Sequence, residues 1–287
     1  MTDNENVPLV PDVPLLAEVL DDLHKFFGTY VAFPSDEAHN AVCGWVVHTW
    51  CVEAFEPTPR LALTSPEKQS GKTRVFECLE WVAYKAIRTS STTPAALFRA
   101  IGHCPRTFLM DEADTYFGSK SRDKHEDLRA LINTGHRKGG VVLRTERNAQ
   151  GFDTKEWPTY APVALAAIGD FPDTIMDRSV VIAMKRQASR ERLKPFRQKD
   201  ARCISEPIVE KLQQLQEPLI EALEGYEPEM PPGIVDRPAD VWEPIIMIGD
   251  IAKWGWSESI REAAIKLNNA RLAQEPTPSN ELLTDIR

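Results

Sequence analysis

The segment from Ser65 to Thr73 has the residue types of a loop that wraps a phosphate group. It matches the pattern G-x-x-x-x-G-K-[ST] at Gly71, Lys72 and Thr73, with Pro66 at the position of the first glycine. In this chemistry, glycine lets backbone amides approach the phosphate, lysine reaches the β- and γ-phosphate oxygens, and the hydroxyl binds Mg²⁺. An accidental Ser-Gly-Lys-Thr turn is the alternative. The residues expected to bind ATP are Pro66, Glu67, Lys68, Gln69, Ser70, Gly71, Lys72, Thr73 and Arg74.

An acidic pair follows the loop at a spacing that suits hydrolysis. Asp111 and Glu112 end the apolar run Thr107–Met110, 38 residues after Thr73. We expect Asp111 to hold Mg²⁺ through water, together with the Thr73 hydroxyl, and Glu112 to polarise the attacking water. A strand that ends in a polar turn is an equally good interpretation of this segment alone. The two motifs in this order favour a nucleotide hydrolase over a P-loop kinase, which lacks such a base.

A third set of residues fits the ends of later strands. Asp170 follows the apolar run Val163–Ile168, and Arg178 precedes the run Val180–Met184. This order is that of the sensor-1 residue and the arginine finger in AAA+ ATPases. Asp170 is therefore expected near the γ-phosphate, and Arg178 is expected to reach the nucleotide of a neighbouring subunit. A salt bridge from Arg178 to a nearby aspartate is the alternative.

An insertion at 139–160 predicts a β-hairpin, with residues 141–146 pairing with residues 152–157. Superfamily-three helicases have a hairpin at this point in the chain, where it contacts single-stranded DNA. Arg144, Arg147 and Lys155 are the candidate phosphate contacts. A structural hairpin with solvated charges remains an equal alternative.

The elements that must position these residues alternate between short apolar runs and amphipathic helices from Arg60 onwards. This alternation predicts an α/β fold with a parallel sheet covered on both faces, as in P-loop ATPases of the AAA+ type. We divide the chain into a tail and helical segment at 1–57, an ATPase core at 58–187 and a helical lid at 188–287.

Composition excludes several classes of protein. The five cysteines of the 287-residue chain have no C-x-x-C spacing, which argues for reduced thiols and against a zinc site. No apolar run is long enough for a transmembrane helix, and no signal peptide is recognisable, so a cytoplasmic protein is expected. The net charge of −9 opposes a nucleic-acid coat protein, although residues 185–202 carry eight basic and two acidic side chains.

Several segments together resemble an uncharacterised P-loop domain family of bacteria and phages, often found in primase–helicase proteins. The resemblance covers residues 33–264, and its segments are Thr58–Ala62, Ser65–Arg74, Asp111–Asp114, Asn133–Gly139, Pro172–Ser179 and Asp236–Pro244. It implies an ATPase linked to DNA replication. In AAA+ proteins an arginine early in a lid helix reaches the γ-phosphate of its own subunit. Arg237 is the candidate for this role, Arg192 and Arg197 are rivals, and a pair with Asp236 or Asp240 is the alternative.

Two functions follow from these features. The first is a Mg²⁺-dependent ATPase that forms a homo-oligomeric ring, expected to be a hexamer, and acts on single-stranded DNA as a helicase or translocase. It would work alone or with a separate primase or other replication partner, away from membranes. The second is a nucleotide-dependent switch or loader that assembles on a protein partner without motor activity. The acidity of the chain favours the second function, and the hairpin favours the first.

Overall fold

The structure, a computed structural model, describes residues 13–89, 94–103, 105–117, 126–148, 151–186 and 193–273. Within these ranges it confirms the α/β class, with a five-stranded parallel sheet and a separate two-stranded hairpin. The strands are β1 (Arg60–Thr64), β2 (Ile87–Thr89), β3 (Phe108–Met110), β4 (Val141–Asn148), β5 (Gly151–Pro158), β6 (Val163–Ala166) and β7 (Ser179–Ala183). The order across the sheet is β2-β3-β6-β1-β7, and β4 pairs with β5.

Helices surround the sheet and follow the predicted apolar spacing. They are α1 (Val13–Tyr30), α2 (Asp36–Trp50), α3 (Lys72–Val82), α4 (Pro94–His103), α5 (Asp114–Phe117), α6 (Glu126–Thr134), α7 (Asp173–Met176), α8 (Gln198–Leu223), α9 (Arg237–Ala252) and α10 (Trp256–Leu272). The start of α2 shows the local cause of a boundary, since the Ser35 side chain accepts a hydrogen bond from the Ala38 amide at 3.3 Å. None of the described helices combines the length and the apolar character needed to cross a membrane.

Strand β1 is the centre of the sheet. It pairs in parallel with β6 on one side and with β7 on the other, and all five of its residues are buried. A strand that is covered on both faces must be apolar throughout, which explains the run Leu61-Ala62-Leu63. Arg60 is the exception, because its guanidinium donates hydrogen bonds to the carbonyl oxygens of Ala161 and Ile132. Burial lowers the pKa of Arg60 to about 9, so this group stays charged at neutral pH.

Two hydrophobic cores lie on opposite faces of the sheet. One face packs against α1, α2 and α3 together with α8, α9 and α10, and the other packs against α4 and α6. The first and last helices of the described chain therefore share a single core with the strands. The described helices of the predicted segments 1–57 and 188–287 form one helical layer, in which α8, α9 and α10 pack on α1, α2 and α3.

The predicted hairpin is present as an eight-residue antiparallel pair, in register from Val141 opposite Pro158 to Asn148 opposite Gly151. Its strands extend into the expected loop at 147–151, and the register differs by one residue from the expected pairing of 141–146 with 152–157. Its base is anchored by Val142 and Trp157, which pack against the second core. The rest of β5 is exposed. The hairpin is therefore an arm attached at one end.

Two helix boundaries have local causes. Helix α2 ends at Trp50, and a separate 3₁₀ turn covers Val52–Ala54. Helix α8 begins at Gln198, where the buried Ala201 extends its apolar face towards the core. The helix continues through Pro207 and Pro218, each of which lacks the amide that would bond to the preceding turn.

Any side chain at position 135 should destabilise the fold, because the neighbouring backbone leaves no room for a Cβ atom. A Cβ atom there would overlap the carbonyl oxygen of Thr159, which backbone pairing holds in place. We expect Gly135→Ala to lower the free energy of unfolding by about 1–3 kcal/mol. In the matched control Gly28→Ala, the Cβ would meet only a His39 ring atom at 3.4 Å within α1, so that the change is neutral or stabilising. Urea denaturation measures both, and equal stabilities for the two variants would contradict this account.

Candidate functional site

The loop between β1 and α3 leaves the carboxyl end of a fully buried strand and enters a helix at Lys72. Two residues of the loop, Gln69 and Gly71, have positive φ angles of 63° and 93°. Left-handed residues curl the backbone so that its amides point inward, and glycine adopts this conformation without steric cost. The loop is also fixed from outside, because the Gly169 amide donates to the Ser65 carbonyl oxygen at 2.8 Å.

Lys72 lies at the first turn of α3 and points back over this loop. Its Nζ donates hydrogen bonds to the hydroxyls of Ser65 and Ser70, the second at 3.2 Å. Burial lowers the pKa of Lys72, against the opposing effect of the Asp114 and Asp111 carboxylates. The ammonium group is thus held at the mouth of the loop, beside the positive end of α3.

The acidic pair lies at the end of strand β3, which is separated from β1 by β6. Asp111 Oδ1 accepts a hydrogen bond from the Glu112 amide at 3.0 Å, and Asp111 Oδ2 accepts one from Arg88 Nη2 at 2.6 Å. Arg88 lies on β2 and also contacts Glu80 of α3 at 3.4 Å. Sequence reasoning missed Arg88, although a charged residue in a short strand beside the acidic pair was the available signal. Both oxygens of Asp111 are therefore held in fixed directions.

Lys72 and the acidic pair Asp111 and Glu112 line one open cleft at the carboxyl edge of the sheet. The cleft has a volume of about 360 Å³, within the usual range for ligand sites. Its walls come from the loop after β1, the turn after β3 and the end of β6 at residues 166–168. This is the edge at which open parallel sheets bind ligands. Five predicted loop residues line it, namely Lys68, Gln69, Ser70, Lys72 and Thr73, together with Asp111 and Glu112. Asp114 lines it as well, and sequence reasoning had given this residue no role.

Other predicted residues of the loop lie away from the cleft walls. Pro66 and Glu67 are exposed and are not among the residues that line the cleft. Arg74 stacks over the Phe196 ring at 4.8 Å and pairs with Glu77 at 2.9 Å, so it faces the α8 side of the molecule. Asp170 is exposed beyond the end of β6 and is not part of the cleft lining. A role for Asp170 near a phosphate stays a prediction.

Arg178 and Arg237 lie at the opposite, amino edge of the sheet. Arg178 immediately precedes β7, where Ser179 is in register with Arg60 at the start of β1. Arg237 begins α9 and pairs with Asp177 at 2.7 Å. The structure thus places Arg237 away from the cleft of its own chain, because α9 packs on α2 and starts beside the turn before β7. Its rival Arg197 precedes α8, and Arg192 lies outside the described residues.

The three basic residues predicted to bind DNA lie on the hairpin. Arg144 of β4 is directly opposite Lys155 of β5, and Arg147 is opposite Phe152. Lys155 is exposed, whereas the side chains of Arg144 and Arg147 lie outside the described part of the structure. Exposed apolar side chains share the hairpin, with Leu143 61% and Phe152 80% accessible.

The donor set of the cleft suits a magnesium–nucleotide complex. In the described ranges no three His, Cys, Asp or Glu side chains converge to form a metal site by themselves. The Thr73 hydroxyl and the Asp111 carboxylate are hard oxygen donors, and they share the cleft with the Lys72 ammonium. Mg²⁺ is bound in this way, by one or two protein oxygens plus substrate phosphates.

Comparison with known proteins finds a partial family match. Residues 183–287 match DUF3631, described as a protein of unknown function. An uncharacterized 28.9 kDa protein in the xis 5′ region of Saccharopolyspora erythraea is 34% identical over 84 residues, which are 29% of this chain and 31% of the relative. The apo structure of the NrS-1 C-terminal region is 12% identical with a TM-score of 0.38, over 91% of this chain and 53% of that one. The chain thus spans about a third of the curated relative and about half of the structural one.

Glu112 adopts a backbone conformation that its side chain disfavours. Its φ angle is 52°, in the left-handed region, which costs a non-glycine residue about 1–2 kcal/mol. We expect Glu112→Gly to raise the free energy of unfolding by ~1 kcal/mol. The control Glu112→Gln keeps the same backbone cost and should match the wild type. Guanidinium denaturation of the three proteins tests this, and a glycine variant less stable than the glutamine variant would be inconsistent with strain at this position.

Proposed function

We propose that the protein is a Mg²⁺-dependent ATPase of the P-loop class. The observation that carries the proposal is the convergence of Lys72, Thr73, Asp111 and Glu112 on one cleft at the carboxyl edge of the sheet. Each of these residue types has a defined part in phosphoryl transfer to water. The left-handed turn at Gln69 and Gly71, which directs amides into the cleft, is a second support.

The position of each of these side chains in the cleft suits one part of ATP hydrolysis. The amides of the loop and of the first turn of α3 bind phosphate oxygens, and the Lys72 ammonium turns from Ser65 and Ser70 to the β- and γ-phosphates. Thr73, and Asp111 through water, would hold Mg²⁺, which would supply positive charge to the phosphates. Glu112 is exposed at the cleft and accepts the proton of the attacking water.

The first test of this proposal separates binding from turnover. We expect Lys72→Ala to abolish or strongly weaken ATP binding, because the cation that contacts the phosphates is removed. Glu112→Gln should bind ATP with wild-type affinity and lose turnover, because an amide cannot accept the proton. Fluorescent-nucleotide titration and phosphate release measure the two steps. Hydrolysis by Glu112→Gln at the wild-type rate would remove Glu112 from this role.

Arg178 acts in trans in this proposal. It is at the amino edge of the sheet, and the Cα atoms at the ends of the five-residue strand β1 are roughly 13 Å apart at 3.3 Å per residue. Its guanidinium therefore serves the nucleotide of a neighbouring copy in a ring, for which we propose a hexamer.

Loss of Arg178 should reduce hydrolysis and leave binding intact. We expect Arg178→Ala to bind ATP nearly as well as the wild type and to hydrolyse it about 10³-fold more slowly. Mixing it with Lys72→Ala protein should partly restore turnover, since one intact composite site can form between the two variants. Steady-state phosphate release from the separate and mixed proteins is the measurement. Full activity of Arg178→Ala as a monomer would contradict a role in trans.

In the leading form of the proposal, the ATPase acts on single-stranded DNA as a helicase or translocase. The supporting feature is the hairpin, whose strand β5 is largely exposed and whose base packs on the second core through Val142 and Trp157. In the register of its strands Arg144 is opposite Lys155, so two basic residues share one cross-strand position of this arm. Basic residues are the groups that contact the phosphates of a nucleic acid. A separate primase or other replication protein is the proposed partner.

A second candidate function, a switch or loader that assembles on a protein partner, is favoured by the charge and apolarity of the same arm. Three acidic residues between 141 and 158 balance its three basic ones. The acidic residues are Glu146, Asp153 and Glu156. Leu143 and Phe152 are strongly exposed. A surface without net charge and with exposed apolar side chains suits a protein partner better than a phosphate backbone.

DNA binding distinguishes the two functions. If the hairpin contacts phosphates, Arg144→Ala, Arg147→Ala and Lys155→Ala should each weaken single-strand binding and flatten its salt dependence by roughly 0.7 in slope. Sequence preference should stay the same, because phosphates carry no sequence information. Lys199→Ala on α8 is the matched control and should bind like the wild type. Wild-type protein that binds no DNA at low salt would favour the switch.

A further inference from the structure

A second cleft opens at the amino edge of the sheet, at the other end of β1. Its volume is about 330 Å³, and its walls include the residues just before β1, the turn after α6, the turn before β7 and the start of α9. Four of the six segments that carry the family resemblance meet here, whereas the other two line the cleft at the carboxyl edge. Of the residues that line this amino-edge cleft, the proposed ATPase function uses only Arg178.

Three guanidinium groups from distant parts of the chain line this cleft, those of Arg137, Arg178 and Arg237. They are close enough to repel one another, since the pKa of Arg178 is lowered by burial and then by the charges of Arg237 and Arg137. His136 adds no charge at neutral pH, because burial lowers its pKa to about 4. The cleft therefore concentrates positive charge in an acidic protein.

Carboxylates hold two of the three arginines. Arg137 Nη2 donates to Asp240 at 2.6 Å, and Arg237 Nη1 donates to Asp177 at 2.7 Å. Asp177 is shared with Arg271 of α10, which donates to its other oxygen at 2.9 Å. The two aspartates thus leave the three arginines of the cleft with excess positive charge.

Arg178 differs from its two neighbours in its partners. Its Nη1 donates to the backbone oxygen of Thr174 at 2.5 Å, and its buried Nε has no hydrogen-bond partner among the described residues. Such a group is costly unless a further acceptor arrives. The start of α9 adds a helix amino terminus to the same wall, where the Asp236 side chain makes no capping bond. The three guanidinium groups and the amino end of α9 therefore direct positive charge at one cleft, which suits a multivalent anion.

We propose that Arg137 and Arg237 join Arg178 in binding the terminal phosphates of a nucleotide held in the carboxyl-edge cleft of a second copy of this chain. This inference rests on the proposed ATPase function. The two clefts are complementary in charge: the carboxyl-edge cleft has two lysines against three carboxylates in its lining, and the amino-edge cleft has three arginines against two. Because they lie at opposite ends of the same strands, a head-to-tail contact between copies brings one onto the other.

The experiment measures nucleotide binding and assembly separately. Wild-type protein, Arg137→Gln and Arg237→Gln are each titrated with a fluorescent non-hydrolysable ATP analogue at low protein concentration, and then sedimented with that analogue at high concentration. We expect unchanged affinity in the titration. In sedimentation, the dissociation constant between copies should rise about ten- to hundredfold for each variant, the scale of one lost charge-assisted hydrogen bond. Arg202→Gln, at an exposed helical pair with Glu206, is the matched control and should assemble normally.

A further variant separates phosphate binding from structural pairing. Asp240→Asn breaks the same ion pair as Arg137→Gln, but it leaves the arginine in place and removes a competing carboxylate. The proposal expects Asp240→Asn to assemble as well as, or more tightly than, the wild type. Equal loss of assembly in Arg137→Gln and Asp240→Asn would mean that the pair is structural and would overturn the proposal.

The remaining outcomes are equally distinct. Assembly of both arginine variants like the wild type would also overturn the proposal and would leave the ATPase function standing. A loss of affinity for a labelled single-stranded oligonucleotide, with assembly unchanged, would overturn it in favour of a nucleic-acid site. Wild-type protein that binds no nucleotide would instead refute the ATPase function itself.

Discussion

The burial of β1 is the constraint on which the rest of the molecule depends. A parallel strand that is paired along both edges and covered on both faces has only its two ends available, and a cleft opens at each. At its carboxyl end the chain leaves through the Ser65–Gly71 loop and turns directly into α3. At its amino end Arg60 reaches across to the carbonyl oxygens of Ile132 and Ala161. One buried guanidinium thus ties the end of α6 and the entry to β6 to the central strand.

This tie also positions the turn after α6, which bears His136 and Arg137. The Thr58 amide donates to the His136 carbonyl oxygen at 2.7 Å, and Pro57 and Arg137 form an antiparallel bridge. Gly135 lets the same turn approach the Thr159 backbone more closely than any side chain allows. The position of Arg137 is therefore set by backbone contacts on both sides, and only its side chain is free to exchange acceptors. This is the arrangement expected of a residue that must reach a ligand accurately.

The features that could be predicted from the sequence are those that a short segment determines. The loop from Ser65 to Thr73, the acidic pair after Thr107–Met110 and the existence of the hairpin all follow from local spacing, and the structure has the corresponding loop, strand and hairpin. The register of the hairpin differs from the expected one by one residue. Arg88 escaped prediction because its partner Asp111 is on a neighbouring strand, 23 residues away. The sequence predicted that Arg237 reaches the nucleotide of its own chain, but the structure places it away from that cleft. Its position relative to the sheet depends on how α9 packs on α2, which no short segment determines. Gly44 of α2 permits that close contact, since a Cβ there would meet Ile245 at 2.6 Å.

The shared helical layer gives Asp177 a position between the two halves of the chain. Its carboxylate binds Arg237 at the start of α9 and Arg271 at the end of α10, and it is adjacent to Arg178 before β7. Arg271 is largely buried, with 15% of its side chain exposed, whereas Arg237 is 67% exposed. The inner ion pair therefore contributes more than the outer one, because solvent screens exposed pairs. The inner pair with Arg271 therefore holds α10 to the turn before β7, whereas the exposed Arg237 is the partner of Asp177 that solvent and anions can reach. This asymmetry leaves the Arg237 guanidinium, rather than that of Arg271, available to a ligand at the amino edge of the sheet.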